Sequence, residues 1–246
     1  MKKLVHIISV VVALITIAMG WILGSSYFVL RRIEFFGMDT ISEQEIVNRL
    51  PFRTGDNLLW ISTQDAENLL LTNKKIESVE IEKHFPDAIS INIVEKKPYY
   101  LLNCGEIWGI TQNCEAIPIK DFRKLPSLPI VNIEDEYIPK PYYVIHNPAV
   151  IRSVNFLNTL SRYRPDFLDN ISEIYSPQKD QFEIVMAKTG LTVIMRENPQ
   201  VLNELDIILN NIGEQIDKAV EIDLRFPNQG IVRYKLDQKK SSQDKG

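Results

Sequence analysis

From Leu4 to Leu30 the chain carries no Asp, Glu, Lys or Arg. Few features restrict a fold more, because a helix needs about 20 apolar residues to cross a bilayer core of about 30 Å. "LVHIISVVVALITIAMGWILGSSYFVL" is long enough to span with some tilt. Trp21 and Tyr27 are residue types that suit the membrane interface, Arg31-Arg32 ends the apolar run, and His6 sits near its entry. A cleaved signal peptide is the competing reading, since Lys2-Lys3 is a basic start and Gly24-Ser25-Ser26 resembles a small-residue cleavage site. The run from Leu4 to Leu23 exceeds the roughly 7–15 residues of a secretory core, which favours an uncleaved anchor. A three-residue tail cannot be a domain, and long segments translocate largely regardless of their charge. The expectation is a cytoplasmic tail at 1–3, a transmembrane helix at 4–30 and the bulk of the chain outside the cytoplasm, as a single-pass type II protein of the cell (inner) membrane.

Beyond the anchor the chain is acidic. Only Lys2 and Lys3 of its 28 basic residues precede Arg31, while none of its 32 acidic residues does. Phosphate binding needs a basic face, so nucleic acid is not the expected main partner. The two cysteines, Cys104 and Cys114, flank "EIWGI", which reads as a strand. Five extended residues span about 16 Å, too far for the roughly 7 Å that bridged Cα atoms allow. Two separate thiols are expected. Three scattered histidines, His6, His84 and His146, form no metal pattern.

"IEFFG" reads as a short strand closed by Gly37. In "ISEQEI" Ser42 can cap a helix and Glu45 can reach back to it, with Ile41 and Ile46 closing as a hydrophobic staple and Pro51 ending the helix. Ser62 starts a second helix with Ala66, Leu69 and Leu70 on its buried side. "IESVEIEKHFPDAISINIVEKKP" then alternates with period two, through Val79 and Ile81 and through Ile89, Ile91 and Ile93, around a turn at Pro86-Asp87. This gives strand, helix, helix, strand, strand over 31–98, with His84 at the hairpin turn as a packing or solvent contact.

The segment 99–236 reads as a mostly antiparallel sheet with helices on one face. "PYYLLNCG", "EIWGI" and "EAIPI" are short strands, and residues 120–147 read mostly as proline-rich loop. Asn147-Pro148 opens a helix with a stripe of Val150, Ile151, Val154, Leu157 and Leu160. "ISEIYS", "QFEIVMA" and "LTVIMR" are strands, the last two joined by the tight turn "KTG". Asn198-Pro199 opens a helix bearing Leu202, Leu205, Leu209 and Ile212. "VEIDLRFPNQGIVRYK" closes the fold as a hairpin, and 237–246 is a flexible tail. The fold class is α+β.

No chemistry-bearing motif is present: no G-x-S-x-G, H-E-x-x-H, P-loop or G-x-G-x-x-G. The carboxylates of "SEQE", "EIEK" and "IEDE" read as solvated caps, edges and loops. Neither catalysis nor a cofactor is expected.

Three motifs and the layout carry a resemblance to the FtsQ/DivIB family of bacterial cell division proteins, one of them with a departure. "SVEIEKHFPDAISINIVEKKP" resembles the end of that family's POTRA domain, with Pro86, Glu95 and Pro98 in the family's places. "IDLRFPNQGIVRY" is similar to its terminal Asp-Leu-Arg-aromatic turn. Asp223, Leu224 and Arg225 match there, Phe226 and Tyr234 take aromatic places, and Gly230 falls one place later than the usual turn glycine. Where the family often has Asp-x-x-Gly, this chain has Thr111 and Cys114. The resemblance implies a POTRA domain at 31–98, a β domain at 99–236 and a non-enzymatic scaffold. Such a scaffold holds partners resembling FtsB and FtsL outside the membrane and helps recruit and regulate septal peptidoglycan synthesis, with the POTRA unit helping to place the protein at the division site.

The closing hairpin points the same way without the resemblance. A final strand at a sheet edge exposes main-chain donors and acceptors that another chain can pair. The expected partner-binding residues are Phe226, Gln229, Gly230, Ile231, Val232 and Tyr234. Two rival readings remain: a POTRA-containing envelope transport or outer-membrane assembly component, and an anchored cell-wall enzyme.

Overall fold

The computed structural model describes residues 2–23, 26–134, 136–227 and 229–235. The chain divides into two compact units between Lys96 and Lys97. The first begins with helix α1 (Lys2–Leu23). Its described side chains, from His6 to Ile17 and at Gly20, are all exposed. Among the described residues no helix is long and apolar enough to cross a membrane.

The apolar run is shared between two structures. The helix ends at Leu23, whereas Phe28, Val29 and Leu30 enter the globular fold, in place of the single helix expected over 4–30. Leu30 is fully buried in the core of the first unit. Its amide donates to Asp56 O at 2.8 Å and its carbonyl accepts from Gly55 N at 2.9 Å. Hydropathy cannot separate a lipid-facing residue from a core-facing one, because both sites are dry.

Strand β1 (Arg32–Phe36), helices α2 (Glu43–Val47) and α3 (Thr63–Leu70), and strands β2 (Ile76–His84) and β3 (Ala88–Glu95) follow in the expected order. β3 lies in the middle, antiparallel to β2 and parallel to β1. Both helices start as their sequences specify. Ser42 accepts from the Glu45 amide and Ser62 from the Asp65 amide, satisfying donors that a helix start leaves orphaned. Ile41 and Ile46 are both buried in the same core. Glu45 does not reach back to Ser42. Its carboxylate instead takes Asn73 Nδ2 at 2.9 Å and Lys75 Nζ at 3.2 Å, because α3 and β2 bring a cation within reach. Ile89, Ile91 and Ile93 are buried with Ile46, Ala66 and Leu70, and each buried Ile or Leu contributes about 1.5–3 kcal/mol.

The turn after β1 is tightly fixed. Gly37 has φ +76°, and a Cβ there would lie 2.2 Å from Ile93 O. Just past Gly37 in the chain, the Asp39, Thr40 and Ile41 amides donate to Glu95 at 2.7, 2.8 and 3.0 Å, and the Thr40 hydroxyl does as well.

The second unit is one sheet. Its elements are β4 (Tyr100–Asn103), β5 (Ile107–Ile110), β6 (Ala116–Ile117), β7 (Ile130–Asn132), α4 (Pro148–Tyr163), α5 (Pro165–Leu168), β8 (Ile171–Tyr175), β9 (Gln181–Met186), β10 (Thr192–Arg196), α6 (Val201–Ile212), β11 (Ala219–Leu224) and β12 (Ile231–Tyr234). The order among the described strands is β12-β11-β10-β9-β8-β7-β4-β5-β6. β7 lies within residues 120–147, where the proline-rich sequence predicts mostly loop. Three of its residues suffice because it pairs on both sides, parallel to β4 and to β8.

The sheet is mixed. The chain crosses from β7 through α4 to β8, and from β10 through α6 to β11, and both crossings join parallel neighbours. Right-handed crossovers that run the same way across strands of the same direction place both helices on one face. Val150, Val154, Leu157 and Leu160 of α4 and Leu202 and Leu205 of α6 are buried there. Phe156 stacks on Phe182 at 4.2 Å between ring centroids. The α4 cap is as expected, with Asn147 accepting from the Ala149 and Val150 amides. α6 starts at Val201, two residues past Pro199, and has no side-chain cap. Cys104 and Cys114 are both free and buried, and burial pushes both thiols up in pKa.

Candidate functional site: the terminal edge strand

β12 is the last strand of the sheet and, among the described residues, pairs on one side only, antiparallel to β11. The Lys235 amide donates inward to Lys218 O at 2.8 Å. Main-chain groups along a strand alternate in direction, so Ile231 and Arg233 face β11 with theirs while Val232 and Tyr234 present theirs outward. Side chains alternate across the sheet as well. Val232 lies opposite Ile222 and packs against the helix-side core. Ile231 and Arg233 lie opposite Asp223 and Glu221 on the other face, where Arg233 Nη1 meets Glu221 Oε1 at 2.9 Å.

The six residues expected at the site are not one patch. Ile231, Val232 and Tyr234 form the edge itself. Ile231 and Tyr234 are exposed and stand outside the core, and Val232 is half-buried. Phe226 and Gln229 belong to the preceding turn, where the Gln229 amide donates to Phe226 O at 3.3 Å. They sit at the opposite end of a strand about 10 Å long from Tyr234. Phe226 is also exposed. Gly230 has another reason to be glycine: a Cβ there would lie 2.1 Å from the tip of Ile208 on α6 and 3.2 Å from Leu224. Its φ is unstrained, so close approach of the helix, and not turn geometry, selects it.

The spacing missed at the sequence level is Asp-x-Arg. Residues two apart on a strand share a face, so Asp223 and Arg225 could have been paired from sequence alone. Asp223 is 2% exposed. It accepts the Arg225 amide at 3.0 Å and the guanidinium through Nε and Nη2, the latter at 2.7 Å. These bonds to Arg225 outweigh burial and hold the Asp223 carboxyl below its usual value. The pair closes the end of β11 from which the turn leaves for β12.

The first unit also has a long edge, β2, but that edge is guarded. Glu67 of α3 accepts the Ile81 amide at 2.9 Å, so a side chain occupies a donor that an incoming strand would need. Glu67→Ala is expected to cost about 1–2 kcal/mol. It should also speed hydrogen exchange at the Ile81 amide and increase self-association through that edge. An unchanged exchange rate would show that the contact does not form in solution. His84, at the end of the same strand, meets Ser90 Oγ at 2.7 Å through Nε2.

Together the two units define a class by architecture: a compact βααββ domain followed by a mixed sheet that ends in a one-sided hairpin. Residues 28–96 match the family model described as "POTRA domain, FtsQ-type". The chain is 25% identical over 216 residues to the cell division protein FtsQ of Geotalea daltonii, covering 86% of this chain and 78% of that one. It is 23% identical to the FtsQ of a Geobacter species, over 83% of this chain and 75% of that one. A third match, to the FtsQ of an Anaeromyxobacter species, is 28% identical but spans 40% of this chain and 34% of that one. Residues 28–96 are thus an FtsQ-type POTRA domain, and the chain is similar over most of its length to bacterial cell division proteins named FtsQ.

Proposed function

We propose that this chain is a non-enzymatic, single-pass membrane scaffold of the divisome. It captures partner proteins resembling FtsB and FtsL outside the cytoplasm, at the division septum, by adding a strand of the partner to β12. Through them it helps recruit and regulate septal peptidoglycan synthesis. The observation that carries the reading is the one-sided β12, whose outward main-chain groups at Val232 and Tyr234 lie between exposed Ile231 and Tyr234 side chains. Main-chain pairing supplies affinity in such a contact, and alternate side chains supply selectivity. Support for the anchor comes from the sequence, in which the 20 residues from Leu4 to Leu23 carry no Asp, Glu, Lys or Arg, about the number a bilayer core takes.

A POTRA-bearing transport component would be expected to offer its POTRA edge to substrate strands. Glu67 on the Ile81 amide argues against that use here.

Ile231→Glu places a carboxylate on the added-strand interface, and Tyr234→Ala removes an aromatic anchor. Each is expected to weaken partner capture at least about 30-fold, the effect of a hot-spot loss of about 2 kcal/mol, with the melting of the sheet unit nearly unchanged. Pull-down of the partner with both variants, alongside circular dichroism, measures this. Undiminished capture by two folded variants would remove β12 as the docking edge.

A further inference from the structure

The first unit carries an aromatic cluster at the end where the chain leaves α1. Three segments meet there. Residues 28–30 are bridged to the loop at 55–58: Leu58 N donates to Phe28 O at 2.7 Å, and Val29 pairs with Asn57. On the other side, the Arg31 amide donates to Asp87 O at 2.8 Å, bringing in the β2–β3 turn. Each segment carries an aromatic residue at or next to this junction. Tyr27 packs edge-on against Phe28 at 5.2 Å, and Phe28 edge-on against Phe85 at 6.0 Å. Trp60 closes the turn that begins at Asn57. Tyr27 is 65% exposed, Phe85 58% and Trp60 73%. These are large rings left in solvent; Phe36, Val47, Leu69, Leu71 and Val94 of the same unit are exposed as well, but only Tyr27 and Phe28 adjoin the exit from α1 in sequence.

The position of the cluster identifies its occupant. Tyr27 lies four residues beyond Leu23, the last residue of α1. Whatever path residues 24–26 take, four residues reach at most about 14 Å. The polar layers of a bilayer add about 5–8 Å on each side of its hydrocarbon core. A ring tethered that closely to an apolar helix lies within the headgroup layer or just outside it. Tyr and Trp are the side chains that gain most there, with an apolar body and a polar tip. Arg31 and Arg53, both exposed, border the same end and suit phosphate headgroups.

We propose that Tyr27, Phe28, Trp60 and Phe85 form a lipid-facing foot by which the POTRA domain seats on the bilayer surface from which α1 emerges. The domain is then held at a fixed height and does not swing on a free linker. This proposal rests on the single-pass anchor proposed above.

The test uses the full chain reconstituted in phosphatidylcholine vesicles whose acyl chains are brominated close to the headgroup. Wild type is compared with Trp60→Phe, an exposed substitution that leaves the core intact, so that the difference spectrum isolates Trp60. Flotation through an alkaline carbonate wash reports the anchor separately. The expected result is protein that floats, with Trp60 emission shifted to the blue and lost in the brominated lipid. Tyr27→Ser with Phe85→Ser should return that emission toward the wavelength of a solvated indole. Protein that floats while Trp60 stays unquenched and open to iodide overturns the foot and leaves the anchor standing. Protein that fails to float overturns the anchor, and the foot falls with it.

Discussion

Replacing Glu95 with alanine is expected to destabilise the POTRA domain by about 3 kcal/mol, because hydrogen bonds to a charged group contribute about 1.5–3 kcal/mol and orphaned donors carry their own penalty. The carboxylate is 6% exposed and takes three consecutive amides of the β1–α2 turn together with the Thr40 hydroxyl. Without it the Ile41 amide loses its acceptor inside the core. For a domain of this size the melting temperature should fall by roughly 4–8 °C per kcal/mol. Thermal unfolding of the full chain, combined with hydrogen exchange at residues 39–41, measures this. Glu95→Gln keeps an acceptor without the charge and should fall between wild type and alanine.

The same group gives the POTRA unit an acid-sensitive lock. Burial alone would raise the Glu95 carboxyl, but the Thr40 hydroxyl and the Ile41, Asp39 and Thr40 amides more than offset it and hold it below its ordinary value. A depressed carboxyl stabilises the fold fully above the unfolded-state value of about 4.3, and the stabilisation is lost as pH falls through the folded-state value. Glu45, lowered chiefly by its bond to Lys75 against an opposing burial effect, acts in the same direction. Melting of the first unit should therefore drop as pH falls below about 4.3, and the drop should be shallower in Glu95→Gln. Equal pH profiles for the two proteins would show that Glu95 is not the titrating group.

Gly37→Ala should be at least as damaging, by about 4 kcal/mol, the size that marks a backbone collision and not a lost contact. An L-residue at φ +76° costs about 1–2 kcal/mol by itself. The new methyl would also meet Ile93 O at 2.2 Å, an atom of the central strand that cannot turn aside. β1 would have to separate from β3, or the turn would have to open. Urea unfolding of the full chain, resolved by unit, checks this. A loss no larger than that of an exposed-loop glycine would mean that the turn relaxes freely. Gly37 and Glu95 fix one junction from two sides, so their double variant should cost less than the sum of the two.

Much of this protein is written locally. Ser42 and Ser62 cap helices because the hydroxyl and the amide it accepts are three residues apart. Ile89, Ile91 and Ile93 share a face because a strand alternates, and Asn147-Pro148 starts α4 for the same kind of reason. The closing hairpin was equally legible. Each of these properties is set within a few residues along the chain.

What the sequence left open depends on groups distant along it. Glu45 had a nearby cap in prospect, but the fold supplied Lys75. Glu95 was one conspicuous residue of a motif, and only the packing of β3 beside the β1–α2 turn gave it three amides to hold. The apolar run to Leu30 looked continuous, yet its last residues are dry in a protein core and not in a helix, a difference that hydrophobicity does not encode. Whether β12 or β2 is open to another chain was likewise undecidable from composition. Both are alternating strands, and it took the tertiary arrangement to put Glu67 on one and leave the other at the end of its sheet. Period and capping are short-range and survive in one dimension. Edges, buried carboxylates and neighbours are made only when distant segments meet.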